Sequence, residues 1–118
     1  MTTTQEIQGI NEVRLVGRLG QQFQVKELPS GDEITTFTVI VPRTVRPRAG
    51  NQKVDSLACQ TLKASISKKV QVWPAGTWVE IEGEIRRRFW QGGKGLASAT
   101  EIEVRTLTRV RESTGVNR

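Results

Sequence analysis

From Trp78 to Phe89 the chain reads Trp-Val-Glu-Ile-Glu-Gly-Glu-Ile-Arg-Arg-Arg-Phe, and apolar and charged residues alternate along most of it. A period of two is the pleat of a half-buried strand, and no helix accommodates it. Val79, Ile81 and Ile85 share one side with Gly83, while Glu80, Glu82, Glu84, Arg86 and Arg88 share the other. Continued further, the alternation puts Phe89 on the apolar, inward side and Trp90 beside Arg88 on the polar side; a bulge near Gly83 would reverse both. The acids on this face suit pairing with cations on a neighbouring strand better than a metal site.

Other segments carry the same kind of signal. Leu15, Val16 and Leu19 mark a strand from about Val13 to Leu19, with Gly17 as a bulge or bend. Phe23, Val25 and Lys26 to Leu28 form a short second strand ahead of the turn Pro29-Ser30-Gly31-Asp32, and Ile34 to Val41 is rich in β-branched residues. Pro42 through Lys53 is a long, basic, exposed loop, and Ser56 to Leu62 is a further strand. Leu62, Ile66, Val70 and Trp73 then draw one apolar stripe on a short helix that Pro74 and Gly76 end. After a turn at Gln91–Gly95, Leu96 to about Thr108 is the last strand, paired with Trp78–Phe89, and Arg109–Arg118 reads as a frayed tail.

This order is that of an all-β domain, a five-stranded Greek-key oligonucleotide-binding (OB-fold) barrel with one short helix between its later strands and its first long strand bent into two. A length of 118 residues suits one such domain. We place a flexible segment at residues 1–8, the barrel at 9–110 and a flexible tail at 111–118. The amino terminus has no basic start followed by an apolar stretch, and no run is long enough to span a bilayer, so a cytoplasmic, nucleoid-associated protein without a membrane partner is expected. Cys59, the lone cysteine, sits among Leu57, Ala58 and Leu62 as a buried strand residue.

Eighteen Lys and Arg against twelve Asp and Glu leave a net charge of +6, which favours a polyanionic partner. The cations cluster. Arg86, Arg87 and Arg88 stand against Phe89 and Trp90 just before a glycine-rich turn that holds Lys94. An unpaired nucleic-acid strand offers phosphates to arginine and flat base faces to aromatic rings, each stacked base contributing roughly 1–3 kcal/mol. Candidate binding residues are Arg86, Arg88, Trp90 and Lys94, then Arg43, Arg46, Arg48 and Lys53 of the basic loop, and Arg14, Arg18 and Lys63 at strand ends. Trp90 is the one clear stacking platform; Trp73 belongs with the core, Trp78 with core or interface, and Lys68 and Lys69 with the helix exterior. There is no histidine, no tyrosine and no phosphate-cradling loop, so neither an enzyme nor a bound cofactor is expected.

Gly9-Ile10-Asn11-Glu12-Val13-Arg14-Leu15-Val16-Gly17-Arg18-Leu19-Gly20 resembles the opening of bacterial single-stranded DNA-binding proteins. Leu28-Pro29-Ser30-Gly31 is similar to that family's first hairpin turn, Phe37 to Val41 to its following strand, and Val79 to Trp90 to its strand with an aromatic tip. The resemblance runs from about Gly9 to Val110. It implies sequence-tolerant binding of single-stranded DNA in replication, recombination or repair, and a homo-oligomer, a tetramer being favoured over a dimer. Aromatics are fewer than the family usually carries. The ending Glu112-Ser113-Thr114-Gly115-Val116-Asn117-Arg118 is not the family's acidic tail, so a shortened paralogue that does not recruit repair enzymes through such a tail is implied. The competing expectation is an OB-fold protein-interaction or primosomal accessory module that binds an acidic partner.

Overall fold

In the computed structural model, which describes residues 6–44 and 53–111, the alternating segment is one strand of a closed barrel. The elements run β1 (Val13–Glu27), β2 (Glu33–Pro42), β3 (Val54–Thr61), α1 (Ala64–Val72), β4 (Trp78–Gly92) and β5 (Gly95–Arg109). Their order around the barrel is β1-β2-β3-β5-β4, with β4 returning to β1; β3–β5 is a parallel contact and the rest are antiparallel. The expected OB-type barrel with one helix is therefore present. Among the described residues no helix is long and apolar enough to cross a membrane.

The core is where the pleats converge. Leu19, Phe37, Val39, Cys59, Val79, Ile81, Val104 and Leu107 are buried, and Ile66 and Val70 of α1 close over them. Burial pushes the Cys59 thiol up to about 12, which makes it an inert packing residue. Two buried hydroxyls are satisfied: Thr61 donates to the Val104 carbonyl at 3.2 Å, and Thr35 shares a hydrogen bond with Ser67 of the helix.

Four local expectations are corrected. β1 is continuous, and its bend is a register shift between Leu19 and Phe23 rather than a bulge at Gly17. Gly17 serves close approach instead, since a Cβ there would lie 2.5 Å from the Ile40 carbonyl oxygen. The helix begins at Ala64, so Leu62 stands exposed ahead of it rather than opening the stripe. Lys69 does not coat the exterior; its ammonium donates to the Leu107 carbonyl at 2.9 Å and lies over Trp73, which packs on the core as expected. Arg109 is the last residue of β5, and the Val110 amide donates to the Trp78 carbonyl, so the barrel and not a tail occupies these positions.

The bulge that threatened the facing of Phe89 and Trp90 is on the other strand. Glu82 pairs with Thr106 and Gly83 with Val104, which leaves Arg105 of β5 as the extra residue and the alternation of β4 unbroken. β4 pairs with β1 only as far as Gly83. Beyond that point Asn11 takes over: its amide donates to the Ile85 carbonyl at 2.7 Å and accepts from the Ile85 amide at 2.9 Å. From Glu84 to Gly92 the only strand beside β4 among the described residues is β5, so the two extend past the barrel as a two-stranded arm. Phe89 keeps its side but not its expected burial. It is 58% exposed, because the arm has outrun the core it was expected to face.

Candidate nucleic-acid interface

The arm has two unlike faces because β4 alternates to its tip. On one lie Ile85, Arg87 and Phe89, with Arg87 held over the Phe89 ring and bonded to Ser98 at 2.9 Å. On the other lie Glu84, Arg86, Arg88 and Trp90. Lys94 sits in the turn between Gly92 and Gly95, where a φ of 117° at Gly95 suits glycine alone. The structure thus brings Arg86, Arg88, Trp90 and Lys94 onto one arm.

The cations on that arm are not equally free. Arg86 is bonded to Glu84 at 2.7 Å and to Glu103 at 2.8 Å. Arg88 donates from Nε and Nη2 to the two oxygens of Glu101 at 3.0 and 3.1 Å, and its guanidinium carbon lies 4.6 Å from the centre of the Trp90 ring. The hydrogen bond to Glu101 holds the Arg88 pKa above its ordinary value. Glu101 is itself buried, with 6% of its surface exposed. Glu84 also binds Arg105. Of the three β4 acids, Glu80 and Glu84 pair with Arg14 and Arg105 on neighbouring strands, as their alternation suggested, while Glu82 accepts a hydrogen bond from Thr106.

Elsewhere the expected residues divide. The Arg43 amide donates to the Lys53 carbonyl at 2.8 Å, so the two ends of the basic loop meet, and Arg43 forms an ion pair with Asp55. Arg46 and Arg48 lie outside the described residues. On β1, Arg14 binds Glu80, which lowers the Glu80 pKa and raises that of Arg14. Arg18 lies over Trp78, 5.7 Å from its centre, at the far end of β4 from Trp90. Lys63 donates to the Arg105 carbonyl at 2.9 Å, a structural tie between the helix start and β5.

Two features escaped sequence reasoning. An open groove of about 570 Å³ is lined by Gln22, Phe23, Gln24, Thr36, Phe37 and Glu101, among others, so it offers amides, hydroxyls, two rings and a carboxylate but no cation. A hollow of about 680 Å³ at the other end of the barrel is lined by Thr77, Trp78, Arg109 and Arg111. Neither leaves a local signature, since each is assembled from segments far apart in the chain. Glu101 in particular reads as one more acid on a polar strand.

Comparison with known proteins agrees with this architecture. The single-strand binding protein family model matches residues 10–110. Single-stranded DNA-binding protein A of Bacillus subtilis is 25% identical over 99 residues, which covers 83% of this chain and 58% of that protein. Single-stranded DNA-binding protein 3 of Listeria innocua is 27% identical over 86 residues, covering 73% and 54%. The chain thus spans little more than half the length of these curated relatives. A solved complex of the Plasmodium falciparum single-strand binding protein with single-stranded DNA superposes with a TM-score of 0.72 at 22% identity, covering 91% of this chain and all of that one, a likeness of fold. With the family model matched across the whole barrel, the chain belongs to the single-strand binding protein family.

Proposed function

We propose that this protein binds single-stranded DNA with little regard to sequence, using the β4–β5 arm as its main contact. The observation that carries the reading is the outer face of that arm, where Trp90 stands partly exposed beside Arg86 and Arg88 with Lys94 at the tip. An indole accepts any base by stacking, and the glycine-rich turn lets a strand approach the backbone closely. The names of the matched relatives support the same ligand. We extend the proposal to a homo-oligomer, with a tetramer favoured, that shelters exposed strands in the cytoplasm during replication, recombination or repair.

Sequence tolerance follows from what is absent from the described arm. No ordered fork of amide or carboxylate is aimed at a base edge from the Trp90 face; the carboxylates there, Glu84, Glu101 and Glu103, are each occupied by an arginine. Titration of the protein's tryptophan fluorescence with oligo-dT tests the reading. Quenching that saturates, and that falls by roughly five- to a hundredfold in apparent affinity for Trp90→Ala, is the expected result. If instead oligo-dT leaves the fluorescence unchanged and does not compete with an acidic polypeptide for the protein, the DNA reading fails.

A further inference from the structure

We propose that Glu101 is a positioning residue for the Trp90 platform, pinning Arg88 against one face of the indole so that the ring offers its other face to a single base. This rests on the DNA-binding reading above. It assigns Arg88 a role different from that of a phosphate clamp.

The geometry separates Arg88 from the other arginine on its face. Arg86 is held by Glu84 and Glu103, whose side chains are 20% and 31% exposed, so water can compensate those carboxylates when a phosphate draws the guanidinium away. The Glu101 side chain is only 8% exposed and uses both oxygens on Arg88. Pulling Arg88 onto a phosphate would leave without its partner a carboxylate that meets water only through the groove and the gap the guanidinium vacates, which costs more than breaking the more exposed pairs of Arg86. Arg88 therefore stays on Glu101. Across the ladder, Arg88 faces Ala99 and Trp90 faces Ala97, and these small side chains leave room on β5 for the guanidinium to sit over the indole. A planar cation at 4.6 Å fixes the ring by cation–π attraction and occupies the face it covers. One ring face remains for one base.

The alternative role for Glu101 is a mask that competes with DNA for Arg88, and the two roles predict opposite signs. Oligo-dT affinity is measured at 50, 100 and 200 mM salt for the wild type, Glu101→Gln, Arg88→Lys and Lys94→Ala. Positioning predicts that Glu101→Gln and Arg88→Lys each weaken binding, by on the order of tenfold, while the slope of log affinity against log salt stays at the wild-type value. Lys94→Ala, a true phosphate contact, makes that slope shallower by about 0.7. In a Trp90→Ala background, Glu101→Gln has no further effect. Tighter binding and a steeper slope in Glu101→Gln would show a mask and overturn the proposal. So would an Arg88→Lys protein that binds like the wild type, since lysine keeps the charge but neither forks onto the carboxylate nor stacks. Arg88 is exposed, so Arg88→Lys is a second variant independent of any folding defect in Glu101→Gln. If the wild type does not bind oligo-dT, the functional reading falls, and the positioning claim is judged separately on indole emission: a Trp90 signal, defined by difference from Trp90→Phe, that is unchanged by Glu101→Gln overturns it.

Discussion

Gly83 is where β4 leaves the barrel, and replacing it with alanine tests whether that junction is as tight as its geometry implies. A Cβ at this position would lie 1.9 Å from the Glu103 carbonyl oxygen, 2.9 Å from its carbon and 3.1 Å from the Val104 Cα. All three are backbone atoms, so no side chain can swing aside. Favourable contact begins near 3.5 Å, and β4 and β5 must therefore part by more than an ångström at the bulge. Overpacking of this kind costs roughly 1–3 kcal/mol, and one or two ladder bonds lost beside it add about 1 kcal/mol each. The sum, on the order of 3–4 kcal/mol, is a large part of a domain stability of roughly 5–15 kcal/mol. With a urea dependence of about 2 kcal/mol per molar, the unfolding midpoint falls by nearly 2 M. Circular dichroism during urea titration measures it. Gly93→Ala is the control, because a Cβ there meets nothing within 4 Å, and its shift stays within about 0.5 kcal/mol. If Gly83→Ala unfolds at the same urea concentration as Gly93→Ala, the close-packed junction is refuted, and with it the account of how the arm is aimed.

Asn11→Ala removes both side-chain bonds to Ile85 at the root of the arm. It should speed hydrogen exchange of the Ile85 amide strongly while leaving that of the buried Ile81 amide in the barrel unchanged. Cys59, with its thiol held up at about 12 by burial, should react with a disulfide reagent at pH 8 only as fast as the barrel opens. A burst of labelling in the native protein would contradict its placement. Glu80 is held below the ordinary carboxylate range first by its hydrogen bond from Arg14. Because its folded pKa is depressed, the pair contributes at neutral pH and its contribution fades as pH falls through that folded value. Carboxyl titration by NMR should show Glu80 returning toward its ordinary pKa in Arg14→Ala.

The fold was legible because its strongest signals are local. Alternation in β4, β-branched residues in β2, and the Pro74–Gly76 stop after the helix are each written within a dozen residues. Where the reading missed, the cause was a contact between distant segments. Gly17 looked like a bulge because no local pattern distinguishes a glycine that bends a strand from one that lets Ile40 come close. Leu62 fell on the helical stripe by spacing, but β3 claims the chain as far as Thr61 and the helix starts only at Ala64. Phe89 had the right side and the wrong surroundings, since alternation reports a direction and not whether a core still lies in that direction.

The same distinction changes how the basic character of the chain acts. The net charge of +6 favours a polyanionic partner, and each phosphate neutralised by a free cation would steepen the salt dependence of binding. Arg14, Arg43, Arg86 and Arg88 are each already bound to a carboxylate, and Lys63 to a carbonyl. An arginine that must leave a carboxylate to reach a phosphate exchanges one ion pair for another and exposes an acid beside the DNA. Such a contact adds much less than a free lysine does. The net charge of +6 would still favour the approach of a polyanionic strand. On the proposed function, retention on the arm would depend on Trp90 and on the exposed Lys94 more than on the arginine run that first suggests that function, and on Glu101, whose bond to Arg88 becomes visible only when β4 and β5 are laid side by side.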